Sequence, residues 1–150
     1  MKEGFDFILV VQYNEIAMEK EIKELYEAAL KVKRRAYAPY SDFHVGSALR
    51  TKGGKIFAGC NVENSSFGVT ICAERNAIFK MVSEGEQEIS SILVVGDTKK
   101  TLSPCGACRQ VIAEFSEEDT RVIMCNKDGD FKETTVGEIL PFGFSLNEDR

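Results

Sequence analysis

The sequence predicts an α/β fold, a three-layer α/β/α sandwich around a mixed five-stranded sheet. Three observations carry this expectation. Segments of helical periodicity alternate with short runs rich in β-branched residues along one chain of 150 residues. The run Ile92-Leu93-Val94-Val95 is apolar at every position, as in a strand covered on both faces. No repeat, low-complexity tract or linker interrupts the chain, so residues 18–150 read as a single domain.

From Met18 to Ala36, apolar residues recur at Ile22, Leu25, Ala29, Val32 and Ala36, the three- and four-residue spacing of one buried helical stripe. Pro39 stops that helix. Val45 to Arg50 and Ile56 to Val62 read as strands joined by a tight turn at Gly53-Gly54. Asn64 to Gly68 reads as a loop. A second helix begins near Cys72, buries Ala73, Ala77, Ile78, Met81 and Val82, and stops at Gly85. After the strand Ile92–Val95, a loop leads to Pro104 and a third helix with Val111, Ile112 and Phe115 on one side. Arg121 to Cys125 is a strand, Lys127 to Asp130 a turn, and Phe131 to Thr135 a further strand. A short helix from Val136 to Leu140 ends at Pro141.

Composition narrows the function classes. The net charge of −5 argues against recognition of nucleic acid through its phosphates. The one dense basic run, Lys31-Val32-Lys33-Arg34-Arg35, reads as a solvated helix end. Five cysteines, an odd number, argue against a disulfide framework and for a reducing, cytoplasmic setting. No apolar run approaches the roughly 20 residues of a membrane span. Phe5 to Val11 is apolar but interrupted by Asp6, a poor signal peptide. Residues 1–17 read either as an extension outside the core or as an ordinary edge strand.

The chemistry concentrates in two segments: Cys72-Ala73-Glu74-Arg75 and Pro104-Cys105-Gly106-Ala107-Cys108-Arg109-Gln110. A ligand-x-Glu followed by Pro-Cys-x-x-Cys is the signature of zinc deaminases. Zinc accepts thiolate ligands, and a catalytic zinc keeps three protein ligands and an open position. Cys105 and Cys108 have the spacing that lets one turn chelate a metal, and Cys72 is the third candidate ligand. All three fall at predicted helix N-termini, where unpaired N–H groups favour thiolates. Glu74 is then a proton shuttle rather than a ligand. Three thiolates leave a divalent centre net negative. Arg75 reads either as a donor of hydrogen bonds to the sulfurs that offsets this charge or as a surface arginine. Cys60 and Cys125 read as core residues, and the single histidine, His44, as a surface or packing residue. Two other classes remain open: a non-catalytic zinc module closed by Cys60, and a dithiol redox protein using Cys105 and Cys108. The second leaves Cys72 and Glu74 without a role.

From about Met18 to Leu146 the chain resembles the small, homotetrameric, three-cysteine cytidine deaminases. The resemblance rests on Tyr37-Ala38-Pro39-Tyr40-Ser41-Asp42-Phe43-His44-Val45-Gly46, on Gly59-Cys60-Asn61-Val62-Glu63-Asn64 and on the two cysteine segments. It implies one Zn2+ per subunit on Cys72, Cys105 and Cys108, with Glu74 as catalytic acid and base. It implies that Asn61 and Glu63 hold the ribose, that Phe43 lines the pocket, and that backbone near Ala73 meets the cytosine ring. Leu140-Pro141-Phe142-Gly143-Phe144 is similar to the family's C-terminal segment. Phe144 is accordingly expected to stack on the base in a neighbouring subunit or to pack within an interface or core. The implied reaction is hydrolysis of cytidine or 2′-deoxycytidine to the uridine product and ammonia, a step of pyrimidine salvage, with a free pyrimidine nucleoside as partner and no nucleic acid or membrane. Deamination of another heterocycle such as blasticidin S is the nearest rival. Phe67 departs from the family, standing where relatives often carry tyrosine.

Overall fold

The computed structural model describes residues 19–147, so the expectation for residues 1–17 lies outside the described residues. The elements run α1 (Lys20–Lys33), β1 (Val45–Thr51), β2 (Ile56–Cys60), α2 (Ala73–Ser83), β3 (Ile89–Gly96), α3 (Gly106–Glu114), β4 (Arg121–Cys125), β5 (Phe131–Thr135) and α4 (Val136–Ile139). The strands form one mixed sheet in the order β2-β1-β3-β4-β5. β1 pairs antiparallel with β2 and β3, β3 pairs parallel with β4, and β4 pairs antiparallel with β5. The α/β sandwich expected from the sequence is therefore the fold observed.

The sheet separates two apolar clusters. On one face, Ile22, Leu25 and Ala29 of α1 pack on Ala48, Leu93, Val95, Ile123 and Cys125. On the other, Ala77, Ile78 and Met81 of α2 and Ile112 of α3 pack on Leu49, Ile92, Val94 and Val122. Successive strand residues serve opposite layers, which is why the β3 run is apolar throughout.

Several boundaries differ from the sequence expectation. α1 ends at Lys33 because Arg35 and Ala36 turn back in i→i+3 bonds to Val32 and Lys33. The freed Tyr37 then donates its N–H to Asn61 O, and its carbonyl accepts from Glu63 N. β2 stops at Cys60 rather than Val62, because Val62 leaves the ladder to bridge Tyr37 on one side and Ile71 on the other. Cys60 is half-buried rather than core, since β2 is an edge strand. Val82 is exposed at 36%, on the outer side of α2. Residues Phe67–Val69 form a 3₁₀ turn within the expected loop.

Topology positions the site. β2 and β3 are both antiparallel to β1, hence parallel to each other, and α2 is their crossover. α3 is the crossover between the parallel strands β3 and β4. Both helices lie on one face and start at the carboxyl ends of parallel strands, where α/β sheets place their ligands. Two close approaches make this packing tight. A Cβ on Gly59 would lie 2.4 Å from Ala77 N, and one on Gly46 would lie 2.1 Å from Ala29 O. Both neighbours are helix backbone, which does not yield as a side chain does. Gly59→Ala should therefore destabilise the fold by about 2–3 kcal/mol. Urea unfolding will show this as a lower midpoint with an unchanged slope.

Candidate active site

Cys72 is the N-cap residue of α2 and Cys105 the N-cap of α3, each in extended backbone conformation with no side-chain cap bond. Cys108 follows in the first turn of α3. The three Sγ atoms lie within 4.8 Å of one another, and Cys72 Sγ is 3.9 Å from Cys105 Sγ. Tetrahedral zinc with bonds near 2.3 Å needs sulfurs about 3.8 Å apart. The donor set fits that ion in both spacing and chemistry. Among the described residues this is the one group of three such ligand atoms so arranged. Cys60 stands outside it, its carbonyl accepting from Asn76 Nδ2 at 2.8 Å. A zinc site closed by a fourth thiolate from Cys60 is not what the described residues form.

The site favours negative sulfur at Cys72. The Cys72 thiol is pulled down to about 5, first by the hydrogen bond from Cys108 and further by Arg75, against the opposing effect of burial. Cys108 is pushed in the opposite direction, chiefly by the same bond to Cys72 and then by burial. Arg75 Nη2 donates to Cys72 Sγ at 3.4 Å. The arginine thus reaches a sulfur of the cluster. Its Nε is buried and has no hydrogen-bond partner among the described residues.

Glu74 is 4% exposed, and Oε2 lies 3.7 Å from Cys108 Sγ. Burial pushes its carboxyl up to about 7, with the Cys72 charge adding to the effect. A carboxyl poised there exchanges a proton near neutral pH, as a general acid and base must. Ala73, fully buried, is the first residue of α2 and places a helix N-terminal N–H between Cys72 and Glu74.

The segment from Asn61 to Glu63 is laid beside the Cys72 arm. Val62 and Ile71 exchange backbone bonds of 2.9 and 3.0 Å, one residue before Cys72. Asn61 is 8% exposed; Oδ1 accepts from Val45 N at 2.9 Å and Nδ2 donates to Phe43 O at 2.8 Å. This amide thus clamps the backbone on both sides of His44 and sets where Phe43 sits. Phe43 is half-buried against the apolar cluster beneath α2, its ring fitting over Gly96, where a Cβ would lie 3.2 Å from the ring. Glu63 Oε1 accepts from Tyr40 N at 3.0 Å and Ser41 N at 3.2 Å, and Oε2 accepts from Ser41 Oγ at 2.5 Å. The Ser41 hydroxyl holds this carboxyl below the usual carboxylate range, with the backbone donors adding.

Other residues emerge only from the geometry. Ser41 and Tyr40 orient Glu63, and Asn76 pins the end of β2 to α2; the sequence places the first two within the Tyr37–Gly46 segment and gives none of the three this task. Tyr40 also meets Phe67 edge-on, ring centroids 5.8 Å apart, and its hydroxyl lies 2.6 Å from Ser65 Oγ. Phe144 stands apart from the core, 71% exposed, with its carbonyl accepting from Gln110 Nε2 at 2.9 Å. His44 pairs with Asp97, Nδ1 to Oδ2 3.5 Å. Cys125 is fully buried, its thiol pushed up to about 12 by desolvation.

Known proteins are similar to this chain. The family model described as the cytidine and deoxycytidylate deaminase zinc-binding region matches residues 19–125. A cytidine deaminase of Halalkalibacterium halodurans is 48% identical over 124 residues, 83% of this chain and 94% of that relative. One from Sporosarcina psychrophila is 48% identical over 128 residues, 85% of this chain and 94% of the relative. The crystal structure of cytidine deaminase from Burkholderia pseudomallei aligns with a TM-score of 0.79 at 45% identity, covering 85% of this chain and all (100%) of that one.

Asn61→Ala leaves a buried Val45 N–H and the Phe43 carbonyl without their side-chain partner. The expected cost is about 2–3 kcal/mol of stability. Because Asn61 links Val45 to Phe43, urea unfolding of Asn61→Ala combined with Phe43→Ala should give less than the sum of the single losses.

Proposed function

The chain belongs to the cytidine and deoxycytidylate deaminase zinc-binding family, and we propose that residues 18–150 act as one catalytic domain that hydrolyses cytidine and 2′-deoxycytidine to uridine and 2′-deoxyuridine with release of ammonia. The observation that carries this reading is the meeting of three sulfurs within 4.8 Å with a buried carboxyl 3.7 Å from one of them.

Cys72, Cys105 and Cys108 would hold zinc, which when bound supplies the Lewis acidity that makes water a nucleophile near neutral pH. Glu74 moves the protons. It accepts one from the attacking water and delivers it to ring N3 as C4 becomes tetrahedral. It then carries the second proton to the departing amino group, which leaves as ammonia. Burial keeps Glu74 dry enough to hold a proton near pH 7 and stops bulk water from short-circuiting the transfer. Arg75 offsets the charge of the thiolates.

Glu63 is read as the ribose anchor. Its two oxygens offer about four acceptor positions. Tyr40 N, Ser41 N and Ser41 Oγ fill three of them. One remains for a sugar hydroxyl, and the carboxylate is oriented before substrate arrives. Asn61 supports the same sugar, chiefly by fixing Phe43, which lines the pocket; Ala73 offers its backbone to the base. An oriented carboxylate suits the hydroxyls of a free nucleoside and disfavours a phosphate.

We read the working form as a cytoplasmic homotetramer in pyrimidine salvage. Phe67, Phe142, Phe144 and Leu146 are all exposed in the single subunit, which supports burial of these side chains by further copies, with Phe144 reaching a neighbour's base. Free thiols as ligands fit a reducing compartment. Light scattering will give a mass near four subunits if the assembly is right and one subunit if it is wrong.

Loss of cytidine absorbance on deamination, followed in the ultraviolet with zinc measured on the same sample, tests the activity; blasticidin S as the preferred substrate would overturn it. Glu74→Gln should keep zinc and fold while turnover falls at least ~1,000-fold, in keeping with loss of a proton shuttle that serves several transfers. Glu63→Ala should raise KM for cytidine on the order of 10- to 100-fold, with kcat reduced less, as expected for loss of a charged hydrogen bond. An unchanged KM would remove Glu63 from the sugar site.

A further inference from the structure

Arg109 follows Cys108 directly, and its guanidinium engages with all three nitrogens. Nε donates to Pro104 O at 2.9 Å, Nη2 to Ser103 Oγ at 2.6 Å and Nη1 to Ile139 O at 2.9 Å. Two of these acceptors lie on the strand-to-helix loop that ends at Cys105. The third is the last residue of α4, whose carbonyl the helix itself leaves unpaired. Gln110 makes a second tie in the same direction, to Phe144 O. Pro104 is buried, so its carbonyl needs a partner, and Arg109 supplies it.

Of the three sulfur residues, Cys105 is the exposed one. Cys108 is locked by burial within α3, and Cys72 is held by Arg75. The position of Cys105 depends instead on its loop, and the loop is held by Arg109. A lysine could not replace this: three acceptors in different directions match a planar fork and not a single ammonium.

We infer that Arg109 is a positioning residue that clamps the Cys105 arm of the metal site to the C-terminal end of α4. It thereby sets how tightly that thiolate is presented and how slowly zinc leaves. This inference rests on the zinc-deaminase reading above. It requires that a change at Arg109 be felt at the metal and not only in the stability of the fold.

The test uses the full chain loaded with zinc and measures release into a chromophoric chelator. Arg109→Lys keeps the charge and loses the fork; Arg109→Ala loses both; Ser103→Ala removes one acceptor of three. Residues that orient metal ligands typically change metal affinity on the order of 10- to 100-fold. Arg109→Lys and Arg109→Ala should release zinc faster by that factor, and Ser103→Ala by less. Arg109→Lys loaded with cobalt(II) should show shifted d–d absorption bands, a readout that lowered stability alone does not move. Should Arg109→Ala fail to fold, Arg109→Lys and Ser103→Ala decide. Wild-type release rates and wild-type cobalt bands in these two overturn the clamp, even if their melting temperatures drop. A wild-type chain that takes up no zinc overturns the deaminase reading itself. Zinc uptake and cytidine turnover by the wild type, with unchanged release from the variants, overturn only the clamp.

Discussion

Two helix N-termini aimed at one point are the constraint from which the rest of this structure follows. α2 follows β2, α3 follows β3, and these strands run parallel on either side of β1. Crossovers on one face bring both helix starts to the same end of the sheet. Each start has an N-cap cysteine, so two sets of unpaired N–H groups and two sulfurs face a common centre, and Cys108 completes it from one turn inside α3. Without an ion this is an awkward concentration of thiols. The opposed shifts of Cys72, downward, and Cys108, upward, express that conflict. A divalent cation would resolve it, and Arg75 already donates to Cys72 Sγ.

The same end of the sheet holds a second device, built from hydrogen bonds rather than sulfur. Asn61 and Glu63 leave the end of β2 and fasten the Tyr40–Val45 segment, Asn61 through the backbone around His44 and Glu63 through Tyr40 and Ser41. The groups proposed to meet the sugar are thus largely satisfied within the fold. Such a carboxylate loses little freedom on binding, so more of its interaction with a hydroxyl appears as affinity. The arrangement also couples Phe43 to the strand that packs on α2, so Phe43 and the Cys72 arm share one support.

Packing that close leaves little tolerance. Gly59 lets β2 touch the backbone of α2, and Gly46 lets β1 touch that of α1. The helix that carries Cys72 and Glu74 is thus seated by the absence of a side chain on the strand beneath it. A single methyl there would lift the helix start, and a displacement of even about 1 Å matters where groups must meet in fixed geometry.

The residue types of the metal site were legible in the sequence, because thiolates at a two-residue spacing and a carboxylate two positions from a third cysteine are chemical statements that need no coordinates. The layered α/β class was legible as well: the period of α1 and the unbroken apolar run of β3 each demand a particular kind of cover. What the chain alone left open depends on contacts between distant segments. Whether Arg75 met sulfur or solvent was open until Cys72 was placed. That Asn61 is a clamp on Phe43 and Val45, that Glu63 is oriented by Tyr40 and Ser41, and that Arg109 reaches Ile139 were all invisible. Hydrogen bonds across tens of residues leave no period behind. Strand order did the deciding: putting β1 between β2 and β3 turned separate cysteine segments into one set of sulfurs, because parallel crossovers deliver their helices to the same end.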